Sequence, residues 1–347
     1  MKELEQLPVP LLEWYRDSAR VLPWRSEPTP YRVWVSEIML QQTRVAAVID
    51  YFTRFIDELP TVADLAAVPE DRLMKLWQGL GYYRRARNLQ AAACQIMDEH
   101  GGMFPDQPEQ IRRLCGVGDY TAGAIASIAF GVPEPAVDGN VLRVMSRLTA
   151  DATDIASPAM KKKVTALLRG IIPLGAAGDF NQALMELGAT VCLPNGAPLC
   201  ARCPVRELCA AFAEEKTGEL PVKAAKKERR IERRTVFLIF YDGCVALRRR
   251  PTKGLLAGLW EYPNELSPAE HALSDWNITA AAREFGGMAK HIFTHIEWQL
   301  EAEVVHAAHD ALPEGWVWAD KDELLHEYAV PNAFDGFSRI LARELHG

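Results

Sequence analysis

The chain has no uninterrupted apolar run of the roughly 18 or more residues that a membrane-spanning helix requires. Its opening stretch, MKELEQLPVP, lacks the basic start and apolar core of an export signal, so a cytoplasmic location is expected. Internal repeats and low-complexity tracts are absent as well. Surplus positive charge is missing overall: 39 Lys and Arg stand against 46 Asp and Glu, a formal net charge of −7. That balance alone argues against a nucleic-acid partner, but the charge is unevenly spread. From Val236 onward there are 9 basic and 17 acidic residues, which leaves the first 235 residues with a net charge of +1. Local patches, not the total, decide contact with phosphate.

With 347 residues, 49% of them hydrophobic, the chain has the size of two or three globular domains. Residues 1–210 read as mainly helical. Leu11, Leu12, Tyr15 and Ala19 recur at helical spacing, and so do Val45, Val48, Ile49, Phe52 and Phe55. Pro60, Pro69 and Pro105 and the Gly79/Gly81 and Gly101/Gly102 pairs mark the breaks. The charged stretch KAAKKERRIERR (Lys223–Arg234) reads as a linker. Beyond it the pattern turns to strands. RTVFLIFYDGCVALRRR has two β-rich runs around Asp242-Gly243, a hairpin signal, and HIFTHIEWQLEAEVVHAA reads as a second strand pair.

Four of the seven cysteines lie close together. Cys192, Cys200, Cys203 and Cys209 are separated by seven, two and five residues. Four thiolates in one turn-rich loop can enclose an iron–sulfur cluster or zinc. Disulfides are disfavoured without an export signal. Zinc usually takes two paired knuckles, whereas only Cys200 and Cys203 form such a pair here, so a cubane cluster suits the spacing better.

A second motif is LCGVGDYTAGAIASIAFG (Leu114–Gly131). The short helical run QPEQIRRL leads into Gly116-Val117-Gly118, and Asp119 is expected to cap the helix that follows. The backbone N–H groups of such a turn suit a phosphate. An acid follows in AVDGNVLRV, Asp138, just past Pro133 and Pro135. Another, Glu37, sits in the apolar stretch VWVSEIML, where desolvation would raise its pKa.

Helix, Gly-Val-Gly hairpin, helix, Pro-rich loop, Asp and four-cysteine loop together resemble the helix-hairpin-helix DNA glycosylase superfamily of the endonuclease III type. Within it, SEIMLQQTRV, VDGNV, FNQALMELGA and the C-terminal extension resemble the MutY-type adenine DNA glycosylases, over nearly the whole chain. The resemblance implies a mainly α N-terminal half and an α+β Nudix-like C-terminal domain. The expected partition is residues 1–29 with 136–218 as a helical cluster subdomain, 30–135 as the subdomain with the hairpin, 219–234 as linker and 235–347 as the Nudix-like domain. It also implies a 4Fe–4S cluster on Cys192, Cys200, Cys203 and Cys209, although the first gap is one residue longer than is usual in the family.

The function implied is monofunctional removal of adenine mispaired with 8-oxoguanine or guanine in double-stranded DNA, by a protein expected to be a monomer. Glu37 would protonate the adenine and Asp138 would stabilise the oxocarbenium sugar, the two-carboxylate logic of glycoside hydrolysis. Tyr120 stands where bifunctional relatives carry a lysine, and tyrosine cannot form a Schiff base. Tyr120 and Asn140 would position Asp138 or the sugar. Trp24, Arg25 and Gln182 match residues that line the adenine pocket. Gln41, Gln42, Thr43, Leu80 and Tyr82 match those that fill the hole left by the flipped base and read its former partner. Gly116 and Gly118 would meet the DNA backbone. Phe293-Thr294-His295 corresponds to the family's Phe-Ser-His loop, which recognises 8-oxoguanine, with threonine keeping the hydroxyl. The acidic box of a Nudix hydrolase is absent, so this domain is expected to bind without hydrolysing.

Overall fold

The structure, a computed structural model, describes residues 4–224 and 228–345. It divides into two compact units, Met1–Ala67 with Asn88–Ala225, and Val68–Arg87 with Lys226–Gly347. No helix among the described residues is long and apolar enough to cross a membrane.

The first unit is helical. Its elements are α1 (Pro8–Ser18), α2 (Pro23–Ser26), α3 (Pro30–Leu40), α4 (Val45–Glu58) and α5 (Val62–Ala67). After α6 (Glu70–Trp77), which lies in the second unit, follow α7 (Arg84–His100), most of it in the first, and α8 (Pro108–Ile111), α9 (Asp119–Phe130), α10 (Gly139–Leu148), α11 (Pro158–Arg169), α12 (Ala177–Thr190) and α13 (Ala210–Ala213). The starts follow sequence chemistry. Proline occupies the first turn of α1, α2, α3, α8 and α11, where its missing N–H costs nothing. Thr29, Ser157 and Asp138 accept N–H groups from the first turns of α3, α11 and α10. Helices α1, α10, α11 and α12 bury one core that includes Leu11, Val144, Met145, Leu168, Phe180 and Leu184. Each such side chain contributes roughly 1.5–3 kcal/mol by leaving water. Helix α9 packs on both α3 and α12, and α12 packs on α10.

The second unit is built on a seven-stranded sheet: β1 (Arg230–Tyr241), β2 (Cys244–Arg249), β3 (Trp260–Glu261), β4 (Asn264–Leu266), β5 (Ala280–Ile292), β6 (Ile296–Ala307) and β7 (Trp316–Ala319). The order is β3-β2-β1-β6-β5, with β4 added to β1 and β7 to β2. Strands β1 and β6 are parallel and the other pairs antiparallel. Asp242 and Gly243 form the predicted two-residue turn, both at positive φ (46° and 75°), with Tyr241 opposite Cys244. The second predicted pair is β5 and β6, joined at Phe293–His295. Of the expected linker, residues 225–227 lie outside the described residues, and β1 already begins at Arg230.

The segment 68–87 is tied to this unit by polar contacts. Lys75 Nζ donates to the carbonyls of Leu324 (2.7 Å) and Tyr328 (3.1 Å), and Gln78 Nε2 donates to that of Val330 (2.7 Å). Arg87 reaches the Ala257 carbonyl at 2.8 Å, and Arg249 pairs with Asp71 at 2.7 Å.

Candidate active site

Glu37 lies three residues before the end of α3 and is 5% exposed. Burial pushes its carboxyl up from 4.5 to about 7. A hydrogen bond from the Tyr120 hydroxyl and the positive charge of Arg25 pull it down, and the nearby Asp138 pushes it up. Tyr120 sits in the first turn of α9, and its oxygen also lies 3.4 Å from the Met185 sulfur on α12. The sequence reading joined Tyr120 to Asp138 or the sugar; its hydrogen bond goes to Glu37, because α9 packs on α3.

Asp138 is the N-cap of α10. Its carboxylate accepts the Val141 N–H (2.7 Å) and the Asn140 side-chain amide (2.8 Å). Burial raises its pKa, while these N–H donors and the charge of Arg143 oppose the rise. The loop that delivers Asp138 is pinned by the fully buried Asn181, which accepts the Ala136 N–H and donates to the Ser127 hydroxyl and the Glu134 carbonyl. A chain of bonds continues beyond Asn140. Arg143 donates to Asn140 Oδ1 (2.9 Å), to the Gly188 carbonyl (2.7 Å) and to the Cys192 carbonyl (2.8 Å). Gly188 lets α12 come this near, since a Cβ there would stand 2.7 Å from that of Asn140.

Arg25, on α2, donates through Nε to Gln182 (3.2 Å), through Nη1 to the Arg20 carbonyl (3.0 Å) and through Nη2 to Glu186 (2.8 Å). Trp24 is 6% exposed, with its ring edge-on to Phe52 at 5.5 Å. Gln41 follows α3 and donates to the Thr121 hydroxyl at 3.3 Å; Gln42 takes a positive φ of 58°, and Thr43 lies on the same turn. At the hairpin, Gly116 has φ +74°, and any Cβ there would meet Asn88 at 2.7 Å. The N-cap of α9 is Gly118, with no side-chain cap. Asp119, expected to cap the helix, is instead its first residue and pairs with Arg112 at 3.0 Å and Lys161 at 3.5 Å. The two cations draw its carboxylate sideways, away from the N–H groups it was expected to satisfy.

In the second unit, Leu80 is buried and Tyr82 exposed at φ 47°. The Tyr82 hydroxyl is 3.1 Å from that of Thr294. Phe293 is anchored edge-on to Trp298 at 4.9 Å, which leaves Thr294 and His295 exposed at the turn.

Cys192, Cys200, Cys203 and Cys209 line a single cavity beside Arg147 and Val144. No three Cys, His, Asp or Glu among the described residues are grouped so as to hold a metal ion. Arg147 Nη1 lies 3.2 Å from the Cys192 sulfur, a fixed positive charge suited to a thiolate.

The residues the sequence reading missed are Arg20, Arg143, Met185 and Glu186. Glu186 carried a signal like that of Glu37, an acid inside the apolar run ALMELGA, four residues after Gln182 and on the same helix face. Arg20 had none, since Glu186 is 166 residues away, and Arg143 had little, since Gly188 and Cys192 are distant and only Asn140 is near in sequence.

Residues 35–172 match the family described as HhH-GPD superfamily base excision DNA repair protein, and residues 235–338 match the NUDIX domain. The adenine DNA glycosylase of Mus musculus is 38% identical over 87% of this chain and 70% of its own length. That of Homo sapiens is 35% identical over 95% of this chain and 73% of its own. Among solved structures, a thermostable thymine-DNA glycosylase superposes with a TM-score of 0.55 at 27% identity, covering 61% of this chain and 98% of its own. Endonuclease III in a non-covalent DNA complex gives 0.53 at 26%, covering 62% and 97%. With two carboxylates, a DNA-binding glycosylase fold and relatives similar along most of its length, the chain belongs to the adenine DNA glycosylase family, enzymes of base excision repair that hydrolyse the N-glycosyl bond of adenine in DNA.

Proposed function

We propose that the enzyme removes adenine mispaired with 8-oxoguanine or guanine in duplex DNA, acting as a monomer and without strand cleavage. The observation that carries the chemistry is Glu37, buried with a pKa near 7 beside a hydroxyl donor and a second carboxylate.

Adenine leaves poorly as an anion, so its departure needs a proton. With the base flipped out of the duplex, the protonated Glu37 carboxyl donates to N7, and the C1′–N9 bond breaks with its electron pair going to the base. Positive charge then spreads over the sugar. Asp138, its oxygens fixed by Asn140 and Val141, stabilises that cation. Glu37, now ionised, accepts a proton from the water that adds at C1′. Tyr120 keeps the Glu37 proton directed; having no amine, it forms no Schiff base. Arg25 and Gln182, with Trp24 behind them, receive the adenine. Gln41, Gln42, Thr43, Leu80 and Tyr82 occupy the vacated stack and meet the opposite base. The Gly116–Gly118 hairpin binds the backbone phosphate through its N–H groups. Phe293, Thr294 and His295 read 8-oxoguanine.

Cys192, Cys200, Cys203 and Cys209 would hold a 4Fe–4S cluster, supported by their shared cavity and by Arg147 at the Cys192 sulfur. Bound there, the cluster would cross-link the loop, and the chemistry above needs nothing further from it. The domain partition expected from the sequence, with the segment 68–87 counted in the second unit and the linker ending before β1 at Arg230, and a cytoplasmic place of action complete the reading.

The test is single-turnover base release from duplexes with adenine opposite 8-oxoguanine, guanine or thymine, with and without alkali. Release opposite 8-oxoguanine and guanine, with strand breaks only after alkali, is expected. Breaks without alkali would overturn the monofunctional assignment, and equal release opposite thymine would overturn the mispair assignment.

A further inference from the structure

Glu186 takes no part in the steps above, yet it is among the most deeply buried charges of the molecule, 1% exposed in the middle of α12. It receives Arg20 through Nε (2.5 Å) and Nη2 (3.0 Å), and Arg25 through Nη2 (2.8 Å). Burial works against its charge, but the two arginines outweigh burial and hold its carboxyl below the usual range. Two guanidinium groups therefore share one carboxylate.

Arg25 is the cation whose charge acts on Glu37. The other groups facing Glu37 are Tyr120 on α9 and Asp138 at the cap of α10, with Arg143 behind Asp138. A nearby cation favours the ionised carboxylate, which is the wrong state for an acid that must donate. We infer that Glu186 is a positioning residue that fixes the Arg20–Arg25 pair and cancels part of its positive field, so that Arg25 can hold the adenine without stripping the proton from Glu37. This rests on Glu37 as the proton donor. The arrangement separates two demands on one arginine: donors for the base, and one net positive charge in place of two in the cluster beside the acid.

The sign is fixed by charge. Glu186→Gln leaves both guanidiniums uncompensated, whereas Arg20→Gln leaves a neutral Arg25–Glu186 pair. A unit charge acting over roughly 10 Å at an effective dielectric near 20 moves a titration midpoint by about one pH unit.

The experiment measures single-turnover adenine release by the full-length protein between pH 5 and 9. For Glu186→Gln the alkaline limb should move down by about one pH unit, a loss of about tenfold at pH 8 with little change at pH 5.5. Glu186→Asp should restore the midpoint, and Arg20→Gln should move it upward. A uniform loss with an unmoved midpoint would reduce Glu186 to a structural role and overturn the inference. Should Glu186→Gln fail to fold, the upward shift in Arg20→Gln carries the test alone, and no shift or a downward one refutes it. A second readout avoids catalysis: the pH-dependent stability difference between Glu37 and Glu37→Gln, measured with and without Glu186→Gln. A shift there without a shift in rate supports the Glu186 role and removes Glu37 as donor; no shift in either overturns the Glu186 role.

Discussion

Replacing Glu37 by glutamine preserves the shape of the side chain and removes its titration. The folded pKa of about 7 lies above the ordinary 4.5. Between these values the folded protein holds a proton that the unfolded chain has lost. The contribution of Glu37 to stability is therefore fully present below pH 4.5, declines by about 1.4 kcal/mol per pH unit as pH rises, and levels off above pH 7. The total is about 3 kcal/mol. Glutamine cannot ionise, and its carbonyl can still accept the Tyr120 hydroxyl. Relative to the parent, Glu37→Gln should be of similar stability at pH 4.5 and more stable by about 3 kcal/mol at pH 8, or roughly 6–12 °C in melting temperature for a domain of this size. Base release should be abolished at every pH. Thermal melts from pH 4.5 to 8.5, paired with single-turnover rates, measure both. A stability difference that does not change with pH would refute the elevated pKa, and with it the claim that burial prepares this acid for neutral solution.

Other perturbations have equally definite signs. Tyr120→Phe removes a hydrogen bond that lowers the Glu37 pKa, so the alkaline limb of the rate profile should move upward, read in the same assay. Gly188→Ala puts a methyl 2.7 Å from the Asn140 Cβ and should displace the partner of Asp138; a fall in single-turnover rate of at least tenfold, with duplex binding retained, is expected. Leu184→Ala, in the core of α1, α10, α11 and α12, should cost about 2–5 kcal/mol in urea unfolding. Gly243→Val forces a β-branched residue to φ 75° in the β1–β2 turn and should lower the melting temperature of the second unit.

Much of this was readable in advance where the signal is local. Glu37 stood out as an acid in an apolar run, Asp242-Gly243 as a hairpin turn, and the four cysteines by their spacing. What escaped depends on partners brought together only by packing. Asp119 had every local mark of a cap, but Arg112 and Lys161 claim its carboxylate. Tyr120 turned to Glu37 because α9 lies on α3. The Arg20–Glu186 pair spans 166 residues, a separation that no motif or period encodes.

Lys75 and Gln78 are made early in translation, while the carbonyls of Leu324, Tyr328 and Val330 come near the end of the chain. At 5–20 residues per second, the ribosome separates these partners by roughly 10–50 s. During that interval α6 is synthesised but lacks the surface on which it rests, and a fragment starting at Lys226 would leave those carbonyls without their donors. Ribosome stalling before residue 324 should therefore leave α6 open to protease, long after the helices that hold Glu37 and Asp138 have closed.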